Sequence, residues 1–589
     1  MESPPSAGGA ELEQVLIATA GAIVVTTILL ILAIGHRTGR IALLSRIAAF
    51  WKGVTGQPGW VVIPTGLIIG SLIIALFGML WDMSLHIADG RDEGPLANPA
   101  HYFILVGLFG VFAAGVLAMV LPRGRTGPTA VRISGDWYVP LGAILLVACG
   151  MFSLLGFPLD DVWHRLFGQD VTLWGPTHLM LVGGAAMALL ALAVLVVEGD
   201  ADRGLKGEPL WVGFLRQAAL PGAFLLGLST FQAEFDFGVP QFRFVFQPML
   251  VMLAGGAALV LARVWRGPGA ALGAVFFFLL IRGVVALLVG PVLDEPTPYF
   301  PLYLAEAVVV ELVAFLVPAR RPVAFALTCG ALIGTVGMAA EWGWSHLFMP
   351  IPWPTELLPE AIALGFPMAV AGALLGAWAA SQLGARKIPR SPALAPAAAL
   401  ASVLIAGLVG FALFKPPTDG LRGEVTLEEV QPRPKRMVNA TVELSPPGAA
   451  DQAEWFTATA WQGGGFTTEP MRPIGDGSYR TTAPLPVHGD WKAMLRLHNG
   501  QALMALPVYF PRDEAIPVAG IPASHRFTRN FVSDTELLQR EQKDGISPVV
   551  TLGAYGAVLG ITAGFLGLFA WALWKVGCEA RSRNGAPGR

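Results

Sequence analysis

Hydrophobic positions in this chain mostly run on without a polar interval, rather than recurring every second or every third to fourth residue. Stretches such as Val15 to Ile34, Ile104 to Leu121 and Leu179 to Val197 carry no charge. At ~1.5 Å rise per residue each is long enough to cross a ~30 Å hydrocarbon core. The same reading gives thirteen spans, near residues 15–35, 60–81, 101–121, 137–157, 177–197, 211–230, 245–263, 270–291, 300–317, 322–340, 358–382, 394–414 and 549–575. Between 416 and 548 the pattern breaks into short, roughly alternating runs such as MVNATVEL, WFTATAWQ and ALMALPVYF, separated by Pro and Gly turns. That pattern predicts a small antiparallel β-sandwich. The expected fold is mainly α. A transmembrane bundle occupies 1–415, a β-sandwich 416–515, a partly helical linker 516–548, a last span 549–575 and a tail 576–589. With no Gly-Pro-rich low-complexity linker, the sandwich is expected to pack on the bundle.

Composition agrees: 54% of the 589 residues are hydrophobic and 14% charged, with a mean hydropathy of +0.61, which excludes an ordinary soluble globule. The net charge of −2 and the lack of a basic surface argue against nucleic acid as a partner. The lipid bilayer is the first partner, with other membrane subunits or an electron donor as further ones. Cys149 and Cys329 fall inside spans and Cys578 in the tail, so neither a disulfide framework nor a thiolate metal site can be drawn. The first residues are acidic rather than basic, so the first span is expected to be retained rather than cleaved as a signal peptide. Arg37, Arg40, Arg123, Arg125, Arg203, Arg263, Arg320 and Arg386 all fall in alternate loops, whereas the other loops hold little beyond Arg91, Arg165 and Arg243. By the positive-inside rule this predicts a multi-pass protein of a bacterial cytoplasmic membrane, with the N-terminus and the sandwich outside and the C-terminus in the cytoplasm.

Two hairpin tips repeat one pattern. Asp82-x3-His86 is followed by Gly90-Arg91-Asp92 and Pro99-Ala100-His101; Asp160-x3-His164 is followed by Gly168-Gln169-Asp170 and Pro176-Thr177-His178. Residues four apart on a helix share a face, so each Asp-His pair offers an oxygen and an imidazole to one ion. The second His arrives at the start of the returning helix, where a proline costs no hydrogen bond. Two imidazoles and a carboxylate suit copper, zinc or iron, and leave positions open for water or substrate. Asp92 and Asp170 are candidates to orient an imidazole from behind. The plainer alternative is that the histidines are interfacial residues and the aspartates helix caps. Trp81, Trp163 and Trp174 read as interfacial belt residues.

These tips resemble the C subunit of the copper membrane monooxygenases, the particulate methane and ammonia monooxygenases, in which Asp-x-x-Trp-His is followed by an Arg-Asp element and a Pro-x-His at a helix start. Asp160, Trp163, His164, Asp170, Pro176 and His178 carry the match, and Asp82, His86, Arg91, Asp92, Pro99 and His101 repeat most of it. The resemblance covers roughly residues 60–265 and implies copper held by the Asp and both His. The chain departs from that family in its extra spans and its own β domain, and Gln169 stands where the motif has Arg. Gly477 to Tyr479 and Trp491 resemble strands of small FixH-like or YtkA-like sandwich domains. Without a Cys in that domain a blue-copper centre is excluded; His488, His498 and His525 are expected at its surface without a function, with loose copper binding as the alternative reading.

A third hairpin, Phe231 to Asp236 with Gln247-Pro248, has Gln in place of the second His and is expected to hold no metal. Glu341 and His346, followed by Glu356 and Glu360, form a looser acidic version that could serve a further site or a proton path, or simply cap helices. Arg282, Glu306 and Glu311 fall inside spans, where ionisable groups pair or line a wet cavity. An Arg282–Glu306 ion pair is one reading and a proton or substrate path another. Nucleotide-binding, zinc-protease and serine-nucleophile motifs are not evident. The functional expectation is a membrane copper protein, an oxidoreductase in the monooxygenase manner acting on a small substrate. The alternatives are a protein of copper acquisition or transfer and an assembly factor for a respiratory complex.

Overall fold

Inside hydrocarbon a chain must satisfy every backbone N–H and C=O by itself, and the uninterrupted apolar runs do so by closing into helices. The computed structural model describes residues 9–91, 96, 98–169, 172–203, 209–384, 391–416, 420–516, 518–543 and 545–584. Twelve of its helical segments are long and apolar enough to span a membrane. In chain order the helices are α1 (Leu12–Arg37), α2 (Leu43–Thr55), α3 (Gly59–Ala88), α4 (Pro99–Val120), α5 (Leu141–Phe167), α6 (Pro176–Arg203), α7 (Leu210–Ser229), α8 (Ala233–Asp236), α9 (Phe246–Arg266), α10 (Ala270–Leu287), α11 (Leu304–Leu316), α12 (Pro322–Leu332), α13 (Met338–Phe348), α14 (Leu358–Leu383), α15 (Leu394–Leu413), α16 (Asp534–Leu538) and α17 (Pro548–Asn584).

The expected span at 300–317 is the exception, because α11 has only thirteen residues. Pro296, Pro298 and Pro301 remove backbone donors and bar the helical conformation before it. The chain therefore enters α11 from irregular backbone, with Tyr303 in the left-handed region at φ 55°. The Glu341 carboxylate accepts the amide hydrogens of Leu302 and Tyr303, satisfying donors that the short helix leaves open. Elsewhere small residues let helices approach closely. A Cβ on Gly372 of α14 would come 2.5 Å from the Leu253 carbonyl oxygen of α9.

A hairpin, β1 (Val131–Ser134) and β2 (Trp137–Val139), joins α4 to α5. The second unit is built from β3 (Arg422–Gln431), β4 (Met437–Ser445), β5 (Trp455–Trp461), β6 (Phe466–Gly475), β7 (Ser478–Thr481), β8 (Leu485–Pro486), β9 (Lys492–Asn499), β10 (Ala502–Tyr509), β11 (Arg526–Asn530) and β12 (Val532–Ser533). They run in the order β11-β3-β4-β7-β6-β5-β9-β10-β12, with β8 beside β4. One half of β6 pairs with β5 and the other with β7, so the sheet folds over in a barrel-like manner around Val425, Val442, Leu495 and Leu506. The sheet does not end at 515. β11 pairs with β3 and β12 with β10, so the stretch expected to be a linker completes the sheet. Its exposed alternation over Arg526–Asn530 marks an edge strand, which carries too few apolar residues to announce itself.

The sheet unit packs on one end of the bundle. Buried Arg496 donates to the Pro240 carbonyl at 2.5 Å and pairs with Asp534 at 2.7 Å. His498, expected at the surface, is fully buried there: its Nε2 accepts the Phe244 amide hydrogen at 3.1 Å and its Nδ1 meets Glu454 at 2.7 Å. Both ring nitrogens are thereby engaged, Nε2 across the junction and Nδ1 within the sheet unit, which leaves none for a metal. His525 is exposed and His488 half-buried.

Candidate metal centre

The two repeated tips lie at the sheet-unit end of the α3–α4 and α5–α6 hairpins. Asp82 and His86 stand one turn apart on the last turns of α3, and His101 on the first turn of α4. Asn98 caps α4 by accepting the Ala100 amide at 2.8 Å. Folding the hairpin brings Asp82 Oδ1 to 3.0 Å from His101 Nε2 and 3.5 Å from His86 Nε2. The second tip repeats this, with Asp160 Oδ1 at 3.2 Å from His178 Nε2 and 3.7 Å from His164 Nε2. In each trio the ligand-type atoms lie within 4.8 Å of one another. Around an ion with bonds of ~2.0–2.1 Å, neighbouring ligands of a tetrahedron stand ~3.3–3.5 Å apart. The observed separations bracket that value, so the donor set fits one ion per tip.

What surrounds the donors fits as well. His86 Nδ1 lies 2.9 Å from the Gly90 carbonyl and His178 Nδ1 2.7 Å from the Thr172 carbonyl. A carbonyl only accepts, so in the neutral ring Nδ1 carries the hydrogen and the Nε2 lone pair faces the cluster. Each aspartate is held by a further donor, Asn98 Nδ2 to Asp82 at 2.5 Å and Thr177 Oγ1 to Asp160 at 2.7 Å. Sequence reasoning missed both. The signal for Asn98 was present, since Asn before Pro at a helix start is an N-cap pattern. Asp92 and Asp170, expected to orient imidazoles, lie outside the described residues.

Both clusters line one cavity of about 2010 Å³, and they are neighbours within it: the His101 ring packs edge-on to Phe157, one turn before Asp160, with centroids 6.2 Å apart. The sheet unit closes the top. Gln462 and Gly464 donate their amides to Ile87 and Ala88 at 3.0 Å each, and the Lys543 amide donates to Phe167 at 2.8 Å. Arg91 reaches Asp513 at 3.1 Å and Glu541 at 3.3 Å. Burial alone would raise the Asp513 carboxyl, but the hydrogen bonds from Arg91 and the Ala515 amide, together with the charges of Arg91 and Lys492, outweigh it and hold the group below the usual carboxylate range. Arg165 of the second tip pairs with Asp161 at 2.8 Å and donates to the Ala10 carbonyl ahead of α1.

The other candidates fall elsewhere. At the third hairpin Gln232 Nε2 donates to Asp236 at 2.7 Å and Gln247 Nε2 to Gln232 at 3.1 Å. Arg282 reaches Asp236 at 2.6 Å, so its partner is Asp236 and not Glu306. A guanidinium charge thus occupies the carboxylate where an ion would be needed. Glu306 is fully buried against Gly337, and neither carboxyl oxygen has a hydrogen-bond partner among the described residues. Glu341 caps α11, and His346 points outward, its ring tilted against Trp342 with centroids 4.3 Å apart. Glu311 pairs with Arg263 at 2.8 Å, and Glu360 pairs with Arg243. None of these joins a His cluster: among the described residues only the two tips gather three such ligands. Trp163, read as a belt residue, is buried against Phe167 and Tyr555. Trp174 donates its indole N–H to the Phe231 carbonyl at 2.9 Å.

The long apolar helices define a multi-pass membrane protein with a β unit at one end, and the two tips give it a pair of equivalent carboxylate–bis-imidazole clusters. No protein-family model matches the chain, and neither a curated protein nor a solved structure matches it significantly.

Proposed function

We propose that the chain is a membrane metalloprotein that holds two copper ions at the outer face of the bilayer, one on Asp82, His86 and His101 and one on Asp160, His164 and His178, and that it oxidises a substrate in the shared cavity. The observation that carries this reading is the repeated spacing of 3.0–3.7 Å between carboxylate oxygen and imidazole nitrogens. When bound, copper supplies one-electron chemistry and an open coordination position. The chain's own residues do the rest. The Gly90 and Thr172 carbonyls fix two imidazole tautomers, Asn98 and Thr177 aim the carboxylates, and the apolar walls keep bulk water from the reacting end. The likeness of the tips to the C subunit of copper membrane monooxygenases supports copper over zinc or iron. The basic loops at the end of the bundle opposite the sheet unit support a cytoplasmic assignment for that end, with the N-terminus and the sheet unit outside.

Elemental analysis of the purified protein tests the reading. Up to two equivalents of copper per chain are expected, falling by one in His164→Ala and by one in His86→Ala. Unchanged metal content in both variants would sink the site assignment. Oxygen uptake by the loaded protein then separates an oxidase or oxygenase from a protein that only carries copper.

A further inference from the structure

The cavity is far deeper than two metal sites require. It is lined along α3 from Ile69 to Ile87 and along α1 from Val15 to Thr26, roughly 27 Å and roughly 16 Å at 1.5 Å per residue. Half of a hydrocarbon core is only ~15 Å, so the cavity runs from the clusters to beyond the mid-plane. Its volume of about 2010 Å³ exceeds the ~300–1,000 Å³ of common small-ligand pockets. Below the six Asp and His side chains its walls are almost wholly apolar, with Leu72, Leu76, Leu155 and Leu189 among them.

One wall is open to the bilayer. In α1 only Leu29, Ala33, Gly35 and His36 are buried, all in its last third. The outer end of the segment is tethered by the Ala10 amide to Asp161 at 2.5 Å and by Gln14 to the Leu96 amide at 3.2 Å. The inner end is tethered by Arg37 to the Pro122 carbonyl at 2.9 Å. Between these tethers the helix stands off from α4 and α5, and of its cavity-facing residues Ala22 and Val25 are exposed and Ala18 is half-buried. An apolar gap of this size inside a membrane is filled by hydrocarbon, not by water.

From this shape we infer that the substrate is a bilayer-resident, single-chain amphiphile, which enters sideways past α1, lays its hydrocarbon chain along α3 and presents its polar end to the two clusters. The inference rests on the proposed metal sites for the chemistry at that end, and on the cavity alone for the chain. A substrate of only a few atoms would need neither the depth nor the lateral opening.

A sixteen-carbon fatty acid with a terminal diazirine, added to the full-length protein in phosphatidylcholine nanodiscs, probes the site. Photolysis is expected to label cavity-facing Ala18, Ala22 or Ala185, with at least tenfold loss of those adducts under excess unlabelled fatty acid. Ala22→Trp, on the exposed α1 face, and Ala185→Trp, on α6, should each remove the adducts while leaving copper content unchanged. Labelling confined to outward residues such as Leu16 and Ile23, or cavity labelling that neither competitor nor Trp variant reduces, would mean that ordinary annular lipid fills the gap and overturns the inference. The two readings fail separately. Normal copper with no cavity adducts removes the substrate class alone. Adducts that persist while His86→Ala and His164→Ala lose no copper remove the metal sites alone.

Discussion

At the residue scale the clusters depend on side chains that no ligand pattern names. Asn98 and Thr177 each give a hydrogen bond to the aspartate that both imidazoles face. Without it the carboxylate can rotate away, and partners of this kind typically contribute ~10–100-fold to metal affinity. Asn98→Ala is therefore expected to weaken metal at the first tip by about that factor and Thr177→Ala at the second, each leaving the other tip unchanged, as read by competition with a chelator. The third hairpin shows the converse. The position corresponding to Asp82 and Asp160 is Gln232, the i+4 position is Asp236, and the returning helix offers Gln247. Their side chains form a closed hydrogen-bonded set around the Arg282 charge, so this tip already holds a cation of its own.

At the element scale the site is a consequence of how closely two helices of a hairpin approach. A Cβ on Gly107 of α4 would lie 2.5 Å from the Ser71 carbonyl oxygen and 2.6 Å from the Ala75 side chain, both on α3. Backbone cannot yield as a flexible side chain does, so a larger residue there must push the helices apart at a cost of ~1–3 kcal/mol or more. Gly107→Leu is expected to separate His101 from Asp82 and to lose metal at the first tip, while the second, on α5 and α6, keeps it. Retention of metal at both tips would show that the hairpin spacing does not control the cluster. The sheet unit acts on the same tips through its loops. Because the folded pKa of Asp513 lies below the ~3.9 of an unfolded chain, its pair with Arg91 adds stability that is present above that value and lost as pH falls through the folded pKa. Hydrogen exchange around Arg91 and Asp513 should rise on acidification below about pH 4. Asp513→Asn should show the faster exchange already at neutral pH.

At the scale of the whole molecule, bundle and sheet unit are joined by buried polar groups rather than by a flexible tether. Arg496 and Asp534 are 1% and 0% exposed, so removing Arg496 leaves a buried carboxylate whose remaining cation, Lys415, stands 3.6 Å away. Arg496→Met is expected to lower stability by ~3–5 kcal/mol, measured as a shift of the sheet unit's melting, with release of the cavity's cap as the visible consequence. The sequence by itself determined the membrane bundle, because a charge-free run of some twenty residues has no other stable home, and it located Asp82, His86, His101, Asp160, His164 and His178, because an i, i+4 pair on one helix and a His at the next helix start are matters of local geometry. It could not show that α11 is too short to span, since prolines reveal a break but not the Glu341 carboxylate that caps the helix after it. It could not place β11 in the sheet, nor pair Arg282 with Asp236 across 46 positions, nor put His498 at a junction. Those are long-range choices, made by which buried charge finds which partner. The shared cavity belongs with them, because a void is defined by the arrangement of several helices and leaves no mark on any one of them.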